Sequence, residues 1–195
     1  MAEFFDHLTD EHIAFVQKQP IFFVSTATDQ GRINLSPKGL DAFRVLGPKR
    51  VAYLDLGGSG NETHAHLAAD GRITLMLCAF ENPPLIYRIY GRGRPVLPQH
   101  ADWGELAQHF ELLSGTRQIF DIAVESTQTS CGWGVPLMSL QGDRGTLPKA
   151  HEILKANPEV WVENYQERTK SIDGLPIEPT TRYFGPPGDL SREKE

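Results

Sequence analysis

Cysteine is scarce: Cys78 and Cys131 are the two in 195 residues. Neither sits in a CxxC pair, so a disulfide framework and a cysteine-built metal site are not expected, and a reducing cytoplasm is the expected location. Cys131 has no basic neighbour and reads as a small buried residue rather than a nucleophile. Long apolar runs are missing too. The strongest, residues 73–80, is interrupted by Thr74 and Cys78 and is far too short to span a bilayer. The N-terminus reads Met-Ala-Glu-Phe-Phe-Asp-His, with no basic region followed by an apolar stretch, so no signal peptide is expected. Basic surplus is absent: the formal charge is −6, which argues against a nucleic-acid partner held by its backbone. HExxH, Cys/His metal spacing, a Gly-x-Ser-x-Gly turn and a spaced acid pair do not occur either. His64 and His66, two apart on a helix, diverge and would not share a metal.

What is present is a globular composition, with 39% hydrophobic and 23% charged residues, enough to build one core in a chain of this length. The first twenty residues read as helical, starting at Thr9-Asp10-Glu11 and stopped by Pro20. A hairpin follows: the β-rich run 21–28, a turn at Asp29-Gln30-Gly31, then alternation over 32–37. Further strands are expected over 50–55, 73–80, 85–91 with a bent continuation through Val96, and 119–127. Gly91 and Gly93 would allow the bend. Helices are expected over 61–69, 102–113 and 151–166. Six strands with helices at the margins point to a mainly β chain, a barrel with flanking α-helices. The expected division is an N-terminal helix over 1–20, a barrel over 21–130, and a Gly/Pro-rich extension with a helix over 131–195.

Three stretches could carry chemistry. Ser36-Pro37-Lys38-Gly39 ends a strand with a hydroxyl, a cation and a free backbone amide close together; the bland alternative is a strand exit with a surface lysine. The Gly-rich run 57–60 leads into Asn61-Glu62-Thr63-His64. Unpaired N–H groups at a helix start attract anions, although an N-capped helix would read the same way. The run fits neither a Walker loop nor a dinucleotide fingerprint. Arg88, Arg92 and Arg94 alternate on one strand face, which suits a compact anionic ligand or simply a solvated face. Cys131-Gly132-Trp133-Gly134 puts a large ring on a flexible backbone, where Trp133 either covers a flat ligand or plugs the barrel end.

The order and spacing of Val24-Ser25-Thr26-Ala27, Asp29-Gln30-Gly31, Ser36-Pro37-Lys38-Gly39, Gly60-Asn61-Glu62-Thr63 and Tyr90-Gly91-Arg92-Gly93-Arg94 resemble the pyridoxamine-phosphate-oxidase-like family of flavin-binding split barrels. The resemblance covers residues 15–98. It implies a six-stranded antiparallel split barrel and a homodimer holding two flavin mononucleotide (FMN) molecules between its subunits. It also implies that Ser36, Pro37, Lys38 and Gly39 lie along the flavin ring and ribityl chain. Asn61, Glu62, Thr63 and His64 would meet the phosphate, Arg88 would contribute from its strand, and Trp133 would approach the partner's flavin. Glu62 stands where pyridoxamine phosphate oxidases are basic. The resemblance therefore implies a flavoprotein oxidoreductase of unassigned small substrate, with NAD(P)H as a possible reductant. Two other readings are a non-enzymatic flavin or haem binder and a deazaflavin-dependent reductase on the same fold. No residue is expected to act as acid or base, because the flavin carries the redox chemistry.

Overall fold

The computed structural model describes residues 2–155 and 169–180. In chain order the elements are β1 (Glu3–Phe5), α1 (Asp10–Val16), β2 (Phe22–Thr26), β3 (Asn34–Lys38), β4 (Phe43–Gly47), β5 (Arg50–Leu56), α2 (Glu62–Ala69), β6 (Arg72–Cys78), β7 (Ile86–Val96), α3 (Trp103–Ala107), β8 (Thr116–Ser130) and α4 (Thr146–Lys155). The strands make one antiparallel sheet in the order β3-β2-β6-β7-β8-β5-β4, with β1 added to β8. The sheet curls without closing, and β3 and β4 are its two edges. This is a mainly β split barrel with flanking helices.

Two strands beyond the expected six are present. β1 is three residues long and pairs with the far end of β8, and β4 folds back on β5. Pieces this short carry too few apolar residues to show a period of two. The helix expected over 102–113 is shorter, ending at Ala107, yet Trp103, Leu106 and Phe110 are buried as helical spacing implied. The last helix starts earlier than expected, at Thr146; its expected continuation to 166 and the charged end of the chain lie outside the described residues.

The run Val51-Ala52-Tyr53-Leu54 lacks alternation because β5 is covered on both faces. Val51 and Tyr53 join the barrel interior with Phe22, Val24, Leu75, Ile89, Phe120 and Ile122. Ala52 and Leu54 join a second cluster under α3, with Val96, Trp103, Leu106 and Ile119. Thr9 caps α1 through a capping box with His12, as its position suggested. The register of β7 on β8 shifts between Tyr90 and Gly91, where β8 carries one extra residue, Glu125. A Cβ at Gly91 would collide with the backbone carbonyl of Ala123, so only glycine fits there.

β5 also positions the chemistry. Its apolar residues drag Asp55 into the interior at the strand's end, where it is 2% exposed. A carboxylate buried this deeply must be paired.

Candidate functional site

Asp55 is surrounded by donors from three directions. Lys38 Nζ, at the end of β3, donates to Oδ1 at 2.8 Å. Arg117 on β8 donates to Oδ2 from Nη2 at 2.6 Å and from Nε at 3.1 Å, and its Nη1 donates to the Gly60 carbonyl at 3.0 Å. Gln118 Nε2 donates to Oδ2 at 2.9 Å. Burial opposes the charged form, but Lys38 and Arg117, with the hydrogen bonds from Lys38 and Gln118, outweigh it and hold Asp55 well below the usual carboxylate range.

Gln118 carries the network on to α2. Its Nε2 also donates to Asn61 Oδ1 at 2.7 Å, and its Oε1 lies 2.7 Å from His64 Nδ1. A second branch runs from β3: Ser36 Oγ donates to Asn34 Oδ1 at 3.1 Å, and Asn34 Nδ2 donates to Thr63 Oγ1 at 3.0 Å and Thr26 Oγ1 at 3.2 Å. His66 Nδ1 lies 3.1 Å from Thr26 Oγ1. The inward side of β3 is thus pinned to the first turn of α2. Asn61 sits at the N-cap of α2 but makes no side-chain cap, its oxygen facing Gln118 instead.

The structure therefore brings Lys38, Asn61 and His64 together through Asp55 and Gln118, and Ser36 and Thr63 together through Asn34, in two hydrogen-bonded networks that meet at the start of α2. Gly39 follows directly, near the Pro20 carbonyl. Glu62 points elsewhere, accepting the backbone N–H of Ile172 at 3.1 and 3.2 Å. Pro37 and Arg88 lie in a single row of strand partners, Pro37–Phe23–Met76–Arg88–Gln128–Phe4, on the half-exposed face of the sheet. Arg88 Nη1 donates to Ser130 Oγ at 3.1 Å. Arg92 and Arg94, on the same side of β7, pair with Glu125, and with Asp102 and Asp121. Trp133 is 84% exposed on the arm after β8, so it does not plug the barrel end. Cys131 is exposed as well, contrary to the buried role expected of it; Cys78 is buried and its thiol is pushed up by burial.

Asn34, Asp55, Arg117, Gln118 and the segment 169–180 were not singled out by sequence. Asp55 had one visible signal, a charge at the end of an unbroken apolar run. Arg117 and Gln118 had none, since polar residues at the start of a strand are ordinary.

Residues 8–131 match the family model described as pyridoxamine 5'-phosphate oxidase. The pyridoxamine 5'-phosphate oxidase family protein ustO of Aspergillus flavus is 37% identical over 194 residues, covering 90% of this chain and 78% of that protein. Among solved structures, a HupZ variant from Group A Streptococcus superposes with a TM-score of 0.51 at 21% identity, covering 63% of this chain and 99% of its own. A pyridoxamine 5'-phosphate oxidase-like protein from Lactobacillus delbrueckii gives a TM-score of 0.51 at 15% identity, covering 63% of this chain and 94% of its own. At such identities the two structures speak for the fold alone. The family match and the Aspergillus relative together establish that this chain belongs to the pyridoxamine 5'-phosphate oxidase family.

Proposed function

We propose that this chain binds FMN between two copies of itself and acts as an oxidoreductase on a small molecule, with NAD(P)H as the reductant to test first. The observation that carries the reading is the gathering of two cations at the start of α2. Lys38 and Arg117 hold one buried carboxylate beside a helix N-terminus whose N-cap residue, Asn61, makes no side-chain cap. The Lys38 ammonium, the helix dipole and the glycine-rich loop favour a phosphate there. Glu62, turned to the Ile172 amide, is drawn away from that spot. Membership of the family supports flavin as the group that brings the phosphate.

In this reading Lys38, Asn61, Thr63 and His64 serve the phosphate end, and Ser36, Pro37 and Gly39 the ribityl chain and ring. FMN, when bound, supplies the redox chemistry; the chain binds and orients it and shields it from water. Two features support a second copy as the other wall. Leu35 is 67% exposed beside Pro37 on the edge strand β3, and the arm carrying Trp133, Leu137, Met138 and Leu140 leaves large apolar surface in water. Arg88 faces the same half-exposed side of the sheet. Among the described residues no helix is long and apolar enough to cross a membrane. Two free thiols support the cytoplasm as the location.

The purified full chain tests this. A yellow protein with the absorption of oxidised flavin, bleached by NADH or NADPH, supports the enzyme. A flavin band that neither nucleotide bleaches leaves a carrier, and a haem band rejects FMN. Sedimentation tests the dimer: a monomer that still holds flavin tightly contradicts a site shared between copies.

A further inference from the structure

Residues 169–180 cross the outside of the α2 start and touch four parts of the fold. At the β2–β3 turn Asp173 pairs with the Arg32 guanidinium and accepts the Arg32 backbone N–H at 2.7 Å. Gly31, with φ of +89°, leaves the space that Asp173 occupies. On α2, Glu62 accepts the Ile172 N–H, and His64 Nε2 accepts the Glu178 backbone N–H at 3.2 Å. Beyond β7, the Glu178 carboxylate lies 3.0 Å from His100 Nε2 and accepts from Gln99 Nε2 at 3.0 Å. On β8, the Thr180 hydroxyl donates to the Arg117 carbonyl at 3.0 Å. Ser171, Ile177 and Thr180 are buried by this docking.

The hydrogen bonds at His64 run in one direction only. Gln118 directs its amide N–H groups to Asp55 and Asn61, so it offers His64 Nδ1 an acceptor. The proton of neutral His64 is therefore on Nδ1, and Nε2 is left as the acceptor for Glu178. A second proton on Nε2 would set an N–H against the Glu178 N–H. We propose that residues 169–180 form a clasp over the α2 side of the site that stays latched while His64 is neutral and opens as it protonates. The clasp's link to the site rests on the flavin reading above.

The groups facing His64 are Asp55 from β5, Arg117 and Gln118 from β8, and Glu178 from the clasp. Burial, with Arg117, disfavours the proton; Gln118, Glu178 and Asp55 favour it; the balance holds His64 below its ordinary value. Once the clasp lifts, an imidazole in water titrates near pH 6.5, so at pH 5.5 the closing equilibrium falls by up to about tenfold.

Amide hydrogen exchange on the full chain at pH 7.5 and 5.5, corrected for intrinsic rates, tests this without any ligand. The expected result is a loss of protection approaching about tenfold at Ile172, Ile177 and Glu178, while Phe120 on β8, which exchanges only on global unfolding, stays far better protected at both pH values. Glu62→Ala should loosen the clasp at both pH values and keep the pH ratio. His64→Gln, which gains no proton in this range, should abolish the ratio. Equal protection of the clasp at both pH values, or the same ratio in His64→Gln, overturns the latch; if that variant does not fold, the unmodified chain and Glu62→Ala still decide. FMN titration of the unmodified chain and of His64→Gln at the same two pH values reads the link to the site, because the FMN phosphate also gains a proton in this range: a larger fall in affinity at pH 5.5 in the unmodified chain supports it, and equal falls in the two overturn it. A chain that binds no FMN at either pH refutes the flavin reading instead, while the exchange data still judge the latch.

Discussion

The ammonium of Lys38 lies 2.8 Å from Oδ1 of Asp55, joining the end of the edge strand β3 to the buried end of β5. The contact ties an exposed, weakly held strand to the interior, and it places a cation one residue before Gly39 at the mouth of the cluster. Asp55 also holds Arg117, so one carboxylate orients two cations.

Asp55→Ala would leave both cations without their partner in a buried setting. Loss of one member of a buried ion pair is strongly destabilising, by about 3–5 kcal/mol. Urea unfolding of the purified chain measures this. A loss below about 1 kcal/mol, the level of an exposed pair, would mean that the network does not organise this end of the barrel.

Lys38→Ala costs less stability than Asp55→Ala, because Arg117 and Gln118 still pair Asp55 Oδ2, although the buried Oδ1 loses its donor. Its effect should fall on FMN: removing a charge-assisted hydrogen bond weakens binding by about 1.5–3 kcal/mol, roughly 10- to 150-fold. Flavin fluorescence titration reads the change. Unchanged affinity would remove Lys38 from the site.

How far the sequence revealed these features depends on the range of the interaction. The hairpin of β2 and β3 and the cap at Thr9 are local, and each was legible from a few neighbouring residues. Lys38, Asn61, Thr63 and His64 were readable as a group because the strand end and the helix start each have a local signature. Their partners Arg117 and Gln118 come from a strand more than fifty residues on, and nothing in their own neighbourhood marks them. Glu62 misled in a related way: it reads as a misplaced charge at a phosphate helix until the Ile172 amide, brought back from the far end of the chain, is seen beside it. Cys131 was misread because its role was inferred from the lack of a basic neighbour, which does not reveal that the segment after β8 stands out from the barrel.

Gly91 and Gly104 give opposite expectations for the same change. Gly91→Ala forces a methyl into the Ala123 carbonyl, a backbone atom that cannot swing aside, and should destabilise by about 1–3 kcal/mol. Gly104 lies inside α3, where an added methyl would meet nothing within 4 Å, so Gly104→Ala should stabilise by up to about 1 kcal/mol. Thermal unfolding of both variants checks the contrast; equal shifts would contradict the register of β7 on β8.

Among the depressed groups, the buried Asp55, His64 and His12 shape the pH dependence of stability. Asp55, held low in the fold, contributes stability that is complete above its ordinary value of 3.8 and drains away as pH falls through its lower folded value. His64, also held low, stabilises fully above 6.5; as pH drops below that, the unfolded chain takes up a proton that the folded chain resists, and stability declines. Urea midpoints should therefore fall from pH 7.5 to 5.5 and again on approach to the acid range. His64→Gln should reduce the first fall to the share of His12, whose buried imidazole is also held low, and leave the second.

Whether this cluster holds flavin is decided by titrating the purified, flavin-free full chain with FMN and following the quenching of flavin fluorescence. The prediction is saturation at one FMN per chain, with Lys38→Ala shifted to weaker binding. No quenching, or quenching that fails to saturate with FMN in large excess over protein, would contradict the assignment of this cluster as a flavin site.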